Sequence, residues 1–462
     1  MTQMGTKIKE RLHSLKKTIS ALSLQRKFLW LFVALSILCI VWYFAYIYLI
    51  YAPGKDLYGP DFLNGSIFFQ DVGDVFMDFF NINFMVANNN PYFVEGDPGG
   101  GSSYPPLILA VAKLFSLIGG TAETARGLRV TARGILSLVL YFSVFFTGAG
   151  FLLRAYAKKV GFSPKETVWL YVSLLLSAPV LYLVDRGNYL SFTLLFMGVF
   201  FLCKDSSAPV REISYLSLAC AVASKLYPAV FAFLLLREKR FYGFLRVVLY
   251  SLALCIFPFL FFEGGMQNVA WFLENLTRFS TEPYSFWADG VRYSTGTSND
   301  LAVDNLVRVV VLFFSGCSVF ELPEWGSALA LGVRIAFIVI TIGGIFLARD
   351  SWQAILGASL AVLLLPSPSY AYTASVIVFP FLSFLGKERT GKKNTVCYLL
   401  FLCGLLTIDL GFLLPTWSHG LQHGYATIDL IRGVSMCALT ILTFCDGLQY
   451  RLYRKNHANS NH

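Results

Sequence analysis

Apolar residues in this chain run in continuous blocks and do not alternate with polar ones. Blocks of about 18 or more residues, each long enough to cross a bilayer core as a helix, recur along the whole length. Lipid offers the backbone no hydrogen-bond partner, so only helices or closed barrels span it, and unbroken apolar runs select helices. The candidate spans are 28–51, 104–119, 134–153, 166–184, 189–203, 212–236, 241–262, 327–348, 352–366, 371–386, 395–414 and 428–447. Residues 303–315 fit an extra interfacial helix, because Asp304, Asn305 and Arg308 make a poor lipid-facing start. The pattern predicts an all-α polytopic membrane protein with about twelve transmembrane helices.

Charge orients the bundle. The N-terminal lysines and arginines, the 237–240 and 387–393 loops and the C-terminal tail carry basic residues that the positive-inside rule assigns to the cytoplasm. Arg126, Arg129 and Arg133 read as a further inner loop. Both termini then lie inside, and two long polar loops, 52–103 and 263–302, lie outside. The exception is Arg154, Lys158, Lys159 and Lys165, which this arrangement places outside. A re-entrant segment near 105–133 or 166–203 would remove that conflict. The organisation is a basic cytoplasmic segment at 1–27, one transmembrane domain at 28–448 and a cytoplasmic tail at 449–462. Within 1–27, Ile8, Leu12, Leu15, Ile19 and Leu22 form a stripe flanked by lysines. That fits an amphipathic helix on the anionic inner leaflet, or a disordered basic tail.

Composition excludes several classes. With 56% hydrophobic residues and a mean hydropathy of +0.62, the chain is not a soluble protein. Its net charge of +10 does not point to nucleic acid, because the basic residues sit in short loops and at the termini and not on a folded basic domain. Eight of the nine cysteines fall inside or at the edges of apolar segments, and no metal-ligand spacing occurs. No P-loop or dinucleotide fingerprint exists.

Candidate chemistry concentrates in the first outer loop. Asp71, Asp74 and Asp78 would share one face of a helix, with no base nearby to neutralise them. Like charges that close raise the titration of at least one carboxyl, which suits a proton acceptor. The three could instead hold a divalent cation, but no further acids cluster nearby, so no cofactor is expected. Helix-dipole preference for acids accounts for Asp71 and Asp74 and less well for Asp78. Lys225 lies within an apolar run, where a lysine is either functional or snorkelling. Arg186 is either a site residue or an ordinary charge at a span end. His419 and His423 lie four apart but are flanked by Gly420 and Gly424, and read as polar residues of a short outer loop.

The order of motifs resembles glycosyltransferase family 87. A first span is followed by the acidic segment ending in Asn90-Pro91-Tyr92, then Tyr104-Pro105-Pro106-Leu107. Asp185-Arg186-Gly187-Asn188 is similar to the family's Gly-Gln-x-Asn region. Ser224-Lys225-Leu226-Tyr227-Pro228 is similar to its Lys-x-x-Pro segment, and Pro366-Ser367-Pro368-Ser369-Tyr370-Ala371-Tyr372 stands where the family has Ser-Pro-x-Ser-Trp. Tyr372 occupies the place of a frequent histidine, so a donor-binding histidine does not carry over. The resemblance covers roughly residues 30–385. It implies a GT-C fold enzyme of a bacterial inner membrane, moving one sugar, mannose by resemblance, from a polyprenyl-phosphate donor to a glycolipid or glycan acceptor on the outer face. Asp78, or else Asp74, would be the base. Lys225, Arg292, Tyr372, Tyr370, Arg278, Tyr104, Asn188, Arg186 and His419 would bind donor phosphate or substrate. Alternatives are a lipid-linked glycan flippase, which should show internal symmetry and ionisable residues along several spans, and an outer-face polymerase or ligase leaning on Arg278 and Arg292.

Overall fold

The computed structural model describes residues 13, 22–45, 75–87, 90–93, 101–281, 285–288, 291–294, 300–315, 323–366, 369–407 and 427–459. Among these residues the chain is helical apart from one hairpin and an isolated bridge. Its helices, in order, are α1 (Leu24–Ala45), α2 (Met77–Ala87), α3 (Pro106–Gly119), α4 (Ala125–Arg129), α5 (Ala132–Val160), α6 (Pro164–Leu175), α7 (Ala178–Arg186), α8 (Leu190–Cys203), α9 (Ala208–Ser224), α10 (Phe233–Arg237), α11 (Phe241–Ile256), α12 (Asn268–Thr281), α13 (Val303–Ser315), α14 (Glu324–Leu347), α15 (Ser351–Leu364), α16 (Val378–Leu385), α17 (Lys392–Leu405) and α18 (Thr427–Asn459). Turns of 3-10 helix lead into α10 (Tyr227–Ala232) and α16 (Ala371–Ile377) and extend α11 (Phe257–Phe261). Strands β1 (Ser285–Ala288) and β2 (Val291–Ser294) pair antiparallel, with Trp287 opposite Arg292. A helix forms at 303–315 as α13.

Among the described residues five stretches are long and apolar enough to cross a membrane: α1, α5, Phe241–Phe261, α14 and Asp429–Arg454. The pair α6–α7 qualifies together, bent by 61° at the break before Pro179. Shorter apolar helices include α3, α8, Tyr227–Arg237, α15 and Ala371–Leu385. Their outward faces are rich in exposed leucine, valine and phenylalanine, as lipid-facing surfaces are. Multi-pass membrane architecture follows.

Polar contacts sort the helix ends into two groups. At one end Arg26 pairs with Glu166 at 3.2 Å, Arg237 donates to the Ala348 carbonyl at 2.9 Å, and Arg389 pairs with Asp350 at 2.9 Å. Lys204 meets Glu238 there too, and Lys393 meets Asp446. At the other end the Phe76 amide donates to the Asp185 carbonyl at 2.7 Å, and Leu301 pairs with Ser369.

Three expectations are thereby corrected. Arg129 Nη1 donates to the Val75 carbonyl at 3.3 Å, so the loop expected inside at 126–133 lies beside the segment leading to Asp78. Tyr104, just before α3, also lies in that region, 3.3 Å from the Asn188 side chain. The 154–165 basic segment, expected outside, runs into Glu166, which shares an ion pair with the N-terminal Arg26. The segment and the N-terminal Arg26 therefore lie at the same end of the bundle. Residues 212–236 are also not one helix: α9 ends at Ser224, Lys225 is extended (φ −151°, ψ 127°), and Pro228 starts a 3-10 turn that returns the chain. Proline lacks the amide that a continuing helix would need.

One hydrophobic cluster matters most for the site. Phe79, Phe80, Ile108, Leu109, Ala112, Tyr141 and Tyr189 are fully buried together, joining α2, α3 and α5 to the α7–α8 corner. Phe79 stacks on Tyr189, with centroids 5.8 Å apart. Asn83 Nδ2 donates to the Tyr189 hydroxyl at 2.9 Å and to the Phe79 carbonyl at 2.8 Å, tying α2 to the α7–α8 corner.

Candidate active site

Asp78 sits in the first turn of α2, immediately after a strained residue. Phe76 has φ +61°, a left-handed backbone that is unusual for a bulky side chain. The helix that carries Asp78 therefore starts at Met77, after this turn. The structures of Asp71 and Asp74 lie outside the described residues, as does that of His419. Asp78 is a helix N-terminal acid after all, where the backbone dipole favours it.

The left-handed turn at Phe76 docks on the end of α7. Gly187, with φ +62°, caps that helix. A Cβ on Gly187 would stand 2.9 Å from Phe79 Cβ and 3.4 Å from Phe76 Cα. Only glycine therefore fits on both conformational and steric grounds. This close approach brings the α7–α8 corner onto the Asp78 carboxylate. Arg186 reaches Oδ1 through Nη2 at 2.7 Å and Nε at 3.3 Å, and Asn188 Nδ2 donates to Oδ2 at 2.7 Å. The Asn188 amide cannot be flipped, because its oxygen accepts from the Leu190 amide at 2.9 Å. Its backbone carbonyl accepts from the Tyr141 hydroxyl at 2.7 Å. Asn188 is completely buried, while Asp78 and Arg186 keep 17% and 28% of their side-chain exposure, so the carboxylate remains reachable.

Tyr104 and Lys225 complete the cluster. Asn188 Nδ2 lies 3.3 Å from the Tyr104 hydroxyl, and Lys225 Nζ stands 4.0 Å over the Tyr104 ring, a cation–π contact. The first outer loop is braced behind it. Asn90 turns the chain by accepting from the Tyr92 amide at 3.0 Å, and the Tyr92 hydroxyl donates to the Tyr104 carbonyl at 3.1 Å. Asn275 on α12 ties the Tyr92 and Ser102 carbonyls together. Tyr370 and Tyr372 stack obliquely, centroids 5.7 Å apart, and both feel the charge of Asp78.

Electrostatics set the carboxyl apart. Burial pushes Asp78 up to about 6, from an ordinary value of 3.8, against the Asn188 hydrogen bond and the charge of Lys225, which pull it down. A carboxylate poised near neutrality is suited to taking a proton.

Of the residues singled out in the sequence, Asp78, Arg186, Asn188, Tyr104, Lys225, Tyr370 and Tyr372 come together. Arg278 is exposed near the end of α12, and no described contact links it to Asp78. Arg292 lies on β2, and its side chain is outside the described set. Lys225 is corrected in its setting: it occupies a break between two short helical passes and not the middle of a continuous span. Asp300, which pairs with Tyr370, was not singled out in the sequence, and its only signal there is its place as the last acid before α13.

Residues 103–368 match the family model described as glycosyltransferase family 87, which is more than half of the chain. The chain belongs to glycosyltransferase family 87. The match contains Tyr104, Arg186, Asn188 and Lys225, begins after Asp78 and ends before Tyr370. No curated protein matches the chain. Membership makes this family 87 protein a membrane glycosyltransferase, with a donor and an acceptor as substrates in a lipid setting. Among the described residues no group of acids, histidines and cysteines is arranged to hold a metal ion.

Proposed function

We propose that this family 87 enzyme transfers one hexose, mannose by family resemblance, from a polyprenyl-phosphate donor to a hydroxyl of a glycolipid or glycan acceptor. The reaction takes place on the outer face of a bacterial inner membrane, in a GT-C bundle of about twelve crossings with both termini inside. In this count α3 is re-entrant, and α9 and Tyr227–Arg237 each cross.

The observation that carries the reading is the meeting of one reachable carboxylate with two cations and a tyrosine cluster, at the end of the bundle where the first long loop docks. Asp78 acts as the base. The acceptor oxygen attacks the anomeric carbon, the carbon–oxygen bond to phosphate breaks, and its electron pair leaves with polyprenyl phosphate. The hydroxyl proton passes to Asp78, and the sugar carbon inverts. Arg186, Lys225, Tyr370 and Tyr372 hold the departing phosphate, for which charge-assisted hydrogen bonds are the strong choice. Asn188 orients Asp78, and Tyr104 supports Lys225. No metal is needed, since the donor already carries a stabilised leaving group.

The test is to incubate purified protein in lipid with labelled polyprenyl-phosphate sugars and candidate glycolipid acceptors. A glycosylated lipid with inverted anomeric configuration is expected. Movement of the carrier across the bilayer without any product would replace the reading with a flippase.

A further inference from the structure

The end of the second long loop is knotted to the segment that carries Tyr370 and Tyr372. Leu301 donates its amide to the Ser369 carbonyl at 2.8 Å, and Asp300 forms an isolated antiparallel bridge with Tyr370. Asp300 is completely buried. Its Oδ1 accepts from the Ser369 amide at 2.7 Å and from the Ala302 amide at 2.9 Å. Asn305, in the first turn of α13, donates to the Asp300 carbonyl at 2.8 Å. One residue further on, the Thr373 amide donates to the Tyr370 carbonyl at 2.8 Å and turns the chain so that the two tyrosines stack.

Burying a carboxylate is costly unless strong donors receive it. The donors here are amides of irregular backbone, which would be orphaned without it. Charge also links the knot to the site. Tyr370 lies within electrostatic reach of Asp300, Asp78 and Arg186 at once. Tyr372 is in reach of Tyr104 and Asp78.

We propose that Asp300 is a positioning residue for the donor end of the site: by holding the Ser369 amide it fixes the Ser369–Tyr372 segment, and with it the two tyrosines, against the Asp78 cluster. The proposal rests on the reading that Tyr370 and Tyr372 hold donor phosphate. Asp300 touches neither substrate nor reacting atoms. It sets how well the donor seats, so its loss raises KM for the donor and leaves kcat nearly intact. Aspartate is not required as a charge, because asparagine presents an acceptor oxygen at the same reach.

The experiment uses full-length protein in lipid. Asp300→Ala should raise the KM for the polyprenyl-phosphate sugar about tenfold or more, on the scale of a lost hydrogen bond to a charged group, with kcat within about threefold. Asp300→Asn should return KM to within about threefold of wild type. Amide hydrogen exchange of peptides covering 369–372 should accelerate in Asp300→Ala and stay slow in Asp300→Asn. Ser369→Pro, which deletes the amide from the opposite side, should repeat the KM rise and carries the test if Asp300→Ala does not fold. An Asp300→Ala protein with unchanged exchange, or with faster exchange and unchanged KM, overturns the proposal. So does an Asp300→Asn protein as impaired as the alanine variant. Refusal of every polyprenyl-phosphate donor by the wild-type protein would instead sink the donor assignment, while the exchange comparison still judges Asp300.

Discussion

The hairpin of α8 and α9 carries a charged cluster at each end, and the two are built on opposite plans. At one end Lys204, Asp205, Glu238 and Arg240 interlock: Lys204 contacts both acids, and Arg240 donates to Asp205 at 2.7 Å and lies 3.3 Å from Glu238. Two cations meet two anions. Burial pushes Asp205 up, but Lys204 and Arg240 together pull its carboxyl below the ordinary value. At the opposite end Arg186 and Lys225 stand around Asp78, whose titration is raised. An interlocked cluster at a helix end closes the fold. The Asp78 cluster, lined with tyrosines and still partly exposed, is suited to receiving an anionic ligand.

Removing the base should separate the two ends most sharply. Asp78→Asn preserves shape and one acceptor oxygen, yet it should lower the transfer rate by about 10²–10⁴-fold, the usual contribution of a general base. Donor binding, followed by retention of labelled lipid, should survive. A variant with full activity would move the base elsewhere, with Asp74 as the first candidate to test.

The next effect should come from a residue with no functional group. Gly187→Ala puts a methyl 2.9 Å from Phe79 Cβ at a backbone angle that favours glycine. The α7–α8 corner would have to lift from α2, taking Arg186 and Asn188 off Asp78. Misplacement by about 1 Å is worth on the order of 10²-fold in rate. Loss of kcat/KM on that scale, in a protein that still purifies as a folded species, would locate the effect in the corner. A rate within twofold of wild type would mean the corner tolerates the shift and that Asp78 is placed by other contacts.

Lys225→Ala tests the cation that stands over the Tyr104 ring. A hydrogen bond to a charged group contributes about 1.5–3 kcal/mol, so donor affinity should fall by roughly 10- to 100-fold. Unchanged affinity would return Lys225 to a support for the Tyr104 ring. The rate should also respond to pH through Asp78. Its folded-state value, about 6, lies above the ordinary 3.8, so the carboxylate form grows as pH rises through about 6. Transfer should therefore be flat above pH 7 and fall by about tenfold by pH 5. The same shift means that this group alone favours the fold at pH values below its ordinary titration and withdraws that support as pH rises through 6. A profile with no inflection between pH 5 and 7 would dissociate Asp78 from the proton transfer.

The sequence made the membrane-spanning character and most of the site residues legible, because apolar length and motif order are local properties. Asp78, Arg186, Asn188, Lys225, Tyr104, Tyr370 and Tyr372 can each be found by scanning short windows. What could not be read was which windows share an end of the bundle. Arg126, Arg129 and Arg133 look like an inner-loop signature, yet Arg129 bonds to Val75, because α3 is short and packs closely on α2. Lys225 looked intramembrane because the apolar run continues past it, and the break appears only in its extended backbone. Arg186 reads in sequence as either a loop charge or a site residue, and its 2.7 Å contact with Asp78, between residues far apart in the chain, leaves no local trace. Asp300 leaves almost no trace in sequence, since its partner is a backbone amide, which any residue would offer.

The smallest effect is expected at the Lys204 end, and it is the control that gives the comparison its meaning. Glu238→Gln keeps the size of the side chain and removes one of the two anions. Lys204 retains Asp205 at 3.3 Å, and Arg240 retains its bond to Asp205, so neither cation is stranded. The pair is neither fully buried nor fully exposed, and its loss should cost about 1 kcal/mol, between surface and buried values. That cost should appear as a modest drop in thermal midpoint in detergent, with transfer rate and donor KM within twofold of wild type. If Glu238→Gln instead lowered transfer as Lys225→Ala does, the two ends of the α8–α9 hairpin would be energetically coupled. The electrostatics around Asp78 could then not be treated as a local property of the site.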